Sequence, residues 1–432
     1  MTTFTTTRRG SAVRLPQAVF RGLAPDGGLY VPSALPELPS SGWGEGADDF
    51  TATAQWAAPH FFPSVSAREM HRVVDRALSF PVEIVEVEPG RFVAELFHGP
   101  TLAFKDVGAR FMASLMQVLD HSDGHGERGC HTVLVATSGD TGGAVASAFH
   151  GLEGYRVVVL FPRDGISARQ RRQMTTLGGN VTALSVAGTF DDCQRMVKAA
   201  FADAEFVAGH GLTSANSINV ARLLPQTFYY IHVARRLGRV HFVVPSGNLG
   251  NLCAGLIAAR AGTPAHGFTA AANANRAFTD FLEGEEFEPR PSIATSSSAM
   301  DVGAPSNLER IRWLFDEDDD ALRHDVRGAT VSDDEVRACI ASVHSRTGYV
   351  MDPHTAVAYE AAIRRGPEPG TPTVVLSTAH PAKFPETVEA AIGCEIPVPD
   401  ALADTATRPE RMTAIEPTDD ALARALEGLP SS

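Results

Sequence analysis

A chain of 432 residues with 44% hydrophobic and 20% charged residues has the make-up of an ordinary globular protein and exceeds the size at which a single core keeps growing. Its net charge of −14 argues against a nucleic-acid surface, which needs a basic field, but leaves room for a local pocket that binds a small anion. Five scattered cysteines without a CxxC pair argue against a disulfide framework, and histidines without an HExxH or a repeated close pair give no metal site, so free thiols in a reducing cytoplasm are expected.

The opening MTTFTTTRRGSAVRLPQAVF has adjacent arginines but no apolar segment of signal-peptide length, and no later stretch is long enough to span a membrane. Next comes HGPTLAFKDVGARF, residues 98–111, with Lys105 between an apolar tetrapeptide and an aspartate. The chain keeps lysine only at 105, 198 and 383, among 37 basic residues in all. Drift is one reading of such a lysine. The chemical one is that an amine can lose its proton and attack a carbonyl, which a guanidinium cannot. HTVLVATSGDTGGAVASAFHG then predicts a strand near 132–137, a loop at Ser138–Gly143 and a helix beyond it. YRVVVLFPRDGISARQRRQMTTLGG and VTALSVAGTFDDCQRMVKAAFAD repeat the unit, the latter with Thr189 or Asp191 as N-cap. VHFVVPSGNLGNLCAGLIAARAG and TPTVVLSTAHPAKFPETVEAAIG complete the series. Continuous apolar strands alternating with helices imply parallel sheets covered on both faces, with ligands at the carboxyl ends of the strands. The acidic stretch 315–336 reads as a solvated helix or loop and 283–301 as a connection.

Four strand-end loops could hold anions. PSGNLGN, 245–251, has two glycines and a helix start, though alone it reads equally as a plain turn. TSGDTGG adds hydroxyls at Ser138 and Thr141, with Asp140 as the discordant member: it either caps the helix or meets a cationic or hydroxyl partner. NSINVARLLPQTFYY offers Asn216, Ser217, Asn219 and Arg222, and STAHPAKF offers Thr378, His380 and Lys383. A reactive lysine, a phosphate loop and further anion loops are the set pyridoxal phosphate needs: an amine for its aldehyde, N–H groups for its phosphate and a partner for its ring nitrogen.

These motifs, together with GLAPDGGLYVP, NSINVARLL and AMDVGAPSN, closely resemble the threonine synthase family, pyridoxal-phosphate enzymes of the fold that includes tryptophan synthase β. HGPTLAFKD with TAHPAKF is similar to its bacterial- and fungal-type branch. The resemblance implies an α/β fold of type II: two open parallel-sheet domains with the cofactor between them, plus an N-terminal segment. The boundaries expected are 1–95 for the N-terminal segment, packed on the large domain; 96–125 and 235–400 for the large domain; 126–234 for the small one; and 401–432 for a tail with one helix. Lys105 would carry the cofactor and shuttle protons, Gly247, Asn248, Leu249, Gly250 and Asn251 would hold its phosphate, and Thr378 would bond its ring nitrogen. Ser138, Gly139 and Thr141 would take the substrate's carboxylate; Asn216, Ser217, Arg222 and Lys383 would take its phosphate. The implied reaction converts O-phospho-L-homoserine and water to L-threonine and phosphate. A phospho-lyase releasing 2-oxobutyrate, a dehydratase acting on an unphosphorylated substrate and a non-catalytic ligand-binding relative are the alternatives. Small departures, Leu249 and Val107 where Phe is usual and Ser298 where Asn is frequent, touch pocket shape and not the reacting groups.

Overall fold

In the computed structural model, which describes residues 3–39, 43, 48–122 and 130–429, the chain builds three sheets. The smallest is antiparallel, made of β1 (Thr3–Thr6), β2 (Val13–Arg14) and β3 (Tyr30–Pro32). Its segment continues through the helices Phe50–Phe61 and Ala67–Ala77, and Phe61 meets Phe228 edge-on at 6.1 Å between ring centres.

The largest sheet has six strands. They are β4 (Glu83–Glu88), β5 (Arg91–Glu95), β10 (Val240–Pro245), β11 (Ala265–Ala272), β12 (Val326–Thr330) and β13 (Thr373–Ser377), in the order β12–β11–β10–β13–β5–β4. All pairs are parallel except β4–β5. Five further strands form a wholly parallel sheet: β6 (His131–Ala136), β7 (Tyr155–Pro162), β8 (Val181–Val186), β9 (Leu212–Ser214) and β14 (Thr413–Ile415), ordered β14–β8–β7–β6–β9. VHFVVP of β10 is buried at every position, as a strand covered by helices on both faces must be. Among the described residues no helix is long and apolar enough to cross a membrane.

Several expected boundaries shift. The limit at 95 falls at the end of a strand that belongs to the six-stranded sheet, because Arg91–Glu95 pairs in register with Thr373–Ser377. The limit at 234 cuts the helix Thr227–Leu237, whose Tyr230 packs on Phe242 of β10 at 4.9 Å and so belongs with the large sheet. The limit at 125 lies outside the described residues. Beyond 401 the chain is no mere tail. Thr413–Ile415 adds a strand to the five-stranded sheet, and the helix Asp419–Glu427 buries Leu422 and Leu426 in the same core as Leu134 and Leu184. Glu410 anchors the crossing, accepting from Arg171 at 2.9 and 3.1 Å and from Arg172 at 3.0 Å. The acidic stretch 315–336 likewise contains the edge strand β12, short and with only Val326 fully buried.

Candidate active site

Lys105 is the first residue of the helix Lys105–Ser122, and the turn before it is tied down from two sides. Asp106 accepts the N–H of Thr101 at 2.8 Å and its hydroxyl at 2.7 Å, a pair of bonds that folds the turn back on the helix start. Burial nonetheless raises the Asp106 carboxyl above its ordinary range, against these bonds. Across the turn, Phe104 donates its N–H to the Thr378 carbonyl at 2.9 Å and His380 donates to that of Leu102 at 3.1 Å. Two motifs almost three hundred residues apart therefore lie side by side, bringing Thr378 next to Lys105. Thr378 is buried, and its hydroxyl makes no hydrogen bond among the described residues.

The TSGDTGG loop is shorter than expected: its helix runs Asp140–Phe149, so Asp140 to Gly143 form the first turn. Gly142 permits this, since a Cβ there would meet the Met174 sulfur and the Thr137 methyl at 2.5 Å. Thr137 accepts the N–H groups of Gly139 and Gly142 at 2.9 and 2.8 Å and so closes the turn. Asp140 points inward, with Lys383 Nζ at 2.7 Å and Gln170 Nε2 at 2.9 Å from the same oxygen. Burial by itself would raise this carboxyl, but the Lys383 and Lys105 ammonium groups hold it well below the usual carboxylate range.

On the far wall, PSGNLGN leads from β10 into the helix Gly250–Arg260. Leu249 sits at φ +58°, left-handed backbone that costs a non-glycine residue energy and marks functional loops. Gly247 is required by close approach, because a Cβ would lie 2.8 Å from Met300 Cα and 3.0 Å from the Ala299 carbonyl. Asn248 donates to Ser217 Oγ at 2.6 Å and accepts the Ser306 N–H at 2.6 Å, while Asn307 donates to the Asn248 carbonyl at 2.9 Å. The APSN turn thus clamps the PSGNLGN loop and joins it to the NSINVAR segment. Asn251 spends its side-chain oxygen on the hydroxyls of Tyr229 (2.6 Å) and Tyr230 (2.8 Å).

NSINVAR enters its helix as a bent segment, with Asn219 capping the short helix Val220–Leu223. Arg222 is buried and bonds the Ala215 carbonyl, leaving its Nε without a partner. The Asn216 side-chain oxygen is also buried and unpartnered. Orphaned polar atoms of this kind are costly unless a ligand pairs with them.

These walls enclose a cavity of about 220 Å³. Lys105, Ser138, Thr141, Asn216, Ser217 and Arg222 line it, and so do Gly247 to Asn251 and Thr378. Gly139 and Lys383 do not. Gly139 sits at φ +131° against the Gln170 side chain, where its conformation starts the helix. Lys383, expected to take the substrate's phosphate, is fully buried and spent on Asp140 and on the Thr101 carbonyl at 2.8 Å, so this geometry gives it a supporting place behind the wall. Gln170, Asp106 and His354 were not singled out in the sequence. His354 lines the cavity, accepts the Ala299 N–H at 3.1 Å and meets Asp352 at 2.7 Å, a role that a turn such as MDPHT does not announce.

Lys105 itself stands beside the Phe104 ring, 4.7 Å from its centre. Burial pulls its ammonium down to about 8, Asp140 opposes this, and the charges of Lys383 and Arg222 add to it. An amine so poised is still mostly charged at neutral pH, but its uncharged form, which a nucleophile or proton acceptor needs, is far more accessible than in an ordinary lysine. Burial also lowers Arg222, to about 10, which leaves it charged at neutral pH.

The profile described as pyridoxal-phosphate dependent enzyme matches residues 89–379, that of the threonine synthase N terminus matches 3–78, and that of the threonine synthase C-terminal region matches 355–426. The threonine synthase of Serratia marcescens is 39% identical over 426 residues, 97% of each chain. The chain belongs to the threonine synthase family. Among solved threonine synthases, that of Escherichia coli superposes with a TM-score of 0.91 at 38% identity, covering 98% of this chain and 99% of its own. The pyridoxal-phosphate-bound threonine synthase of Brucella melitensis gives 0.90 at 35% identity, covering 99% of both. Pyridoxal phosphate is the cofactor of this family and the fold is type II.

The residues present fit that group. A lysine of lowered basicity, a glycine cradle whose Cβ would collide with Met300 and a threonine hydroxyl unbonded among the described residues are what its aldehyde, phosphate and ring nitrogen need. Gly247→Ala is therefore expected to strip most of the cofactor from the purified protein, measured as loss of visible absorbance per chain, and also to lower the urea midpoint of the cofactor-free protein, because the added Cβ meets the Met300 and Ala299 backbone.

Proposed function

We propose that this threonine synthase family member converts O-phospho-L-homoserine and water to L-threonine and phosphate, in the cytoplasm that its five free cysteines suit. The observation that carries the substrate is buried Arg222, a charged guanidinium with an unpartnered Nε in the cavity wall that also holds Lys105. A phosphate ester supplies the missing partner, and an unphosphorylated substrate does not.

Bound pyridoxal phosphate supplies an electron sink for the charge left on carbon when a proton leaves. Lys105 takes the α-proton, for which its lowered basicity suits it; loss of a β-proton then supplies the electron pair that expels phosphate, the γ-carbon takes up a proton, and the α-carbon regains one after water has added. Ser138 and Thr141, with the N–H groups of their helix start, hold the substrate's carboxylate. Arg222, Asn216 and Ser217 hold the phosphate and stabilise the charge that gathers on it as the γ-carbon–oxygen bond breaks. Gly247 to Asn251 hold the cofactor phosphate and Thr378 its ring nitrogen. Water then adds its hydroxyl at the β-carbon, and threonine is released.

Incubation of the holoenzyme with O-phospho-L-homoserine tests this by product identity. Threonine and phosphate in equal amounts are expected. Phosphate accompanied by 2-oxobutyrate would replace the synthase reading with that of a phospho-lyase, and the absence of turnover would remove the substrate assignment.

A further inference from the structure

The outer part of the cavity carries groups that the reaction above does not use. The helix Phe190–Ala202 lines it with Phe190, Gln194, Val197, Lys198 and Phe201, a spacing that places all five on one face. Its neighbouring face, with Cys193, Met196 and Ala200, is buried in the core of the five-stranded sheet. Gln194 and Lys198, one turn apart, are the polar pair that this helix offers to the cavity. Lys198 is exposed whereas Arg222 is buried, so the two cations mark the solvent end and the inner end of one space.

Among the described residues nothing claims Lys198. A helical lysine can pair only with a carboxylate three or four residues away on its own helix, and here those positions are Gln194, Arg195, Phe201 and Ala202. Among the described residues it makes no ion pair, and the one carboxylate lining the cavity, Asp140, is held by Lys383. In a chain with only three lysines, two line this cavity and the third neutralises its wall.

We propose that Gln194 and Lys198 form an outer anion subsite at the mouth of the cavity, which takes the phosphate group of the incoming substrate and of the departing inorganic phosphate. The proposal rests on the reading that the substrate is a phosphate ester. A dianion approaching a chain of net charge −14 is repelled at long range, and a local cation at the entrance reverses that field where it matters. An ammonium is a point charge with rotating donors, so it attracts the group without the two-point grip of a guanidinium and releases it inward to Arg222. Being exposed, it is screened by salt.

Lys198→Gln and Lys198→Arg, prepared as holoenzymes, test it with two readouts. Calorimetric titration with inorganic phosphate needs no turnover; steady-state kinetics with O-phospho-L-homoserine reads the same subsite in the reaction. Lys198→Gln is expected to weaken phosphate binding and raise KM, each about tenfold, with kcat altered less than about twofold and a flatter dependence of kcat/KM on salt. Lys198→Arg should restore most of both, since charge and reach are kept. An unchanged phosphate Kd in Lys198→Gln, or a fall in kcat at unchanged KM, overturns the proposal. If the native holoenzyme makes no threonine from the substrate, the functional reading fails on its own, and the phosphate titration still decides the subsite.

Discussion

Lys105→Ala is expected to lower threonine formation by at least about ten-thousand-fold, the upper range for loss of a positioned proton-transfer group. The geometry concentrates both demands of the reaction, an amine for the cofactor and a base for the substrate, on one side chain. Among the cavity's other groups none replaces it: Arg222 stays charged, Asp140 is held ionised by Lys383, His354 spends both ring nitrogens on the Ala299 N–H and Asp352, and Lys198 is at the outer end. Activity alone would not separate this from misfolding, so a second readout is needed. Treatment with borohydride should add the mass of reduced pyridoxal phosphate to the native chain at Lys105 and leave the variant chain unchanged. The variant should fold at least as well as the native protein. Among the described residues Lys105 makes no ion pair, and its lowered basicity means that the fold disfavours its charged form, so removing it relieves the cost of burying that charge and its repulsion with Lys383 and Arg222. A variant that retained native turnover, or that still became labelled, would remove Lys105 from the chemistry.

How much of this was readable beforehand depends on how local the deciding physics is. YRVVVLFP and VHFVVP announce buried parallel strands because, apart from Arg156 and His241, they are continuous apolar runs. VRGAT of β12 and TAI of β14 do not, because a short edge strand is defined by the partner it pairs with and not by its own composition. The start of the helix at Asp140 was obscured by Gly142 and Gly143, which look like breakers; Gly142 is there to let Thr137, Val159 and Met174 pack against the helix. Lysine chemistry, glycine cradles and hydroxyl loops were legible as residue types, and twelve positions converge on the cavity. What could not be read was which polar groups spend themselves on one another. Lys383 looks like a solvated lysine on a turn, or a phosphate ligand, until the fold sets Asp140 against it. The same holds for Asn251 and its two tyrosines.

That ion pair yields the second large effect. Asp140 follows β6 of one sheet and Lys383 follows β13 of the other, and both are buried, so their contact joins the two domains behind the active cavity. Asp140→Asn keeps the shape and an oxygen that still accepts from Gln170 and Lys383, but leaves the buried Lys383 ammonium without a counter-charge, and is expected to cost about 3–5 kcal/mol of stability. Adding Lys383→Met removes the stranded charge, so the double variant should regain much of that loss; a cycle of urea midpoints over the four proteins measures the coupling. The effect has a defined pH window. Because the folded-state carboxyl is held below its unfolded value, its contribution is fully present above about pH 4 and is lost as pH falls further toward the folded pKa. The midpoint difference between the native protein and Asp140→Asn should therefore be level from neutral pH down to about 5 and shrink below 4. Additive single losses in the cycle would show that the two charges act independently, and a difference that shrank at neutral pH would show that Asp140 is not the ionised member of the pair.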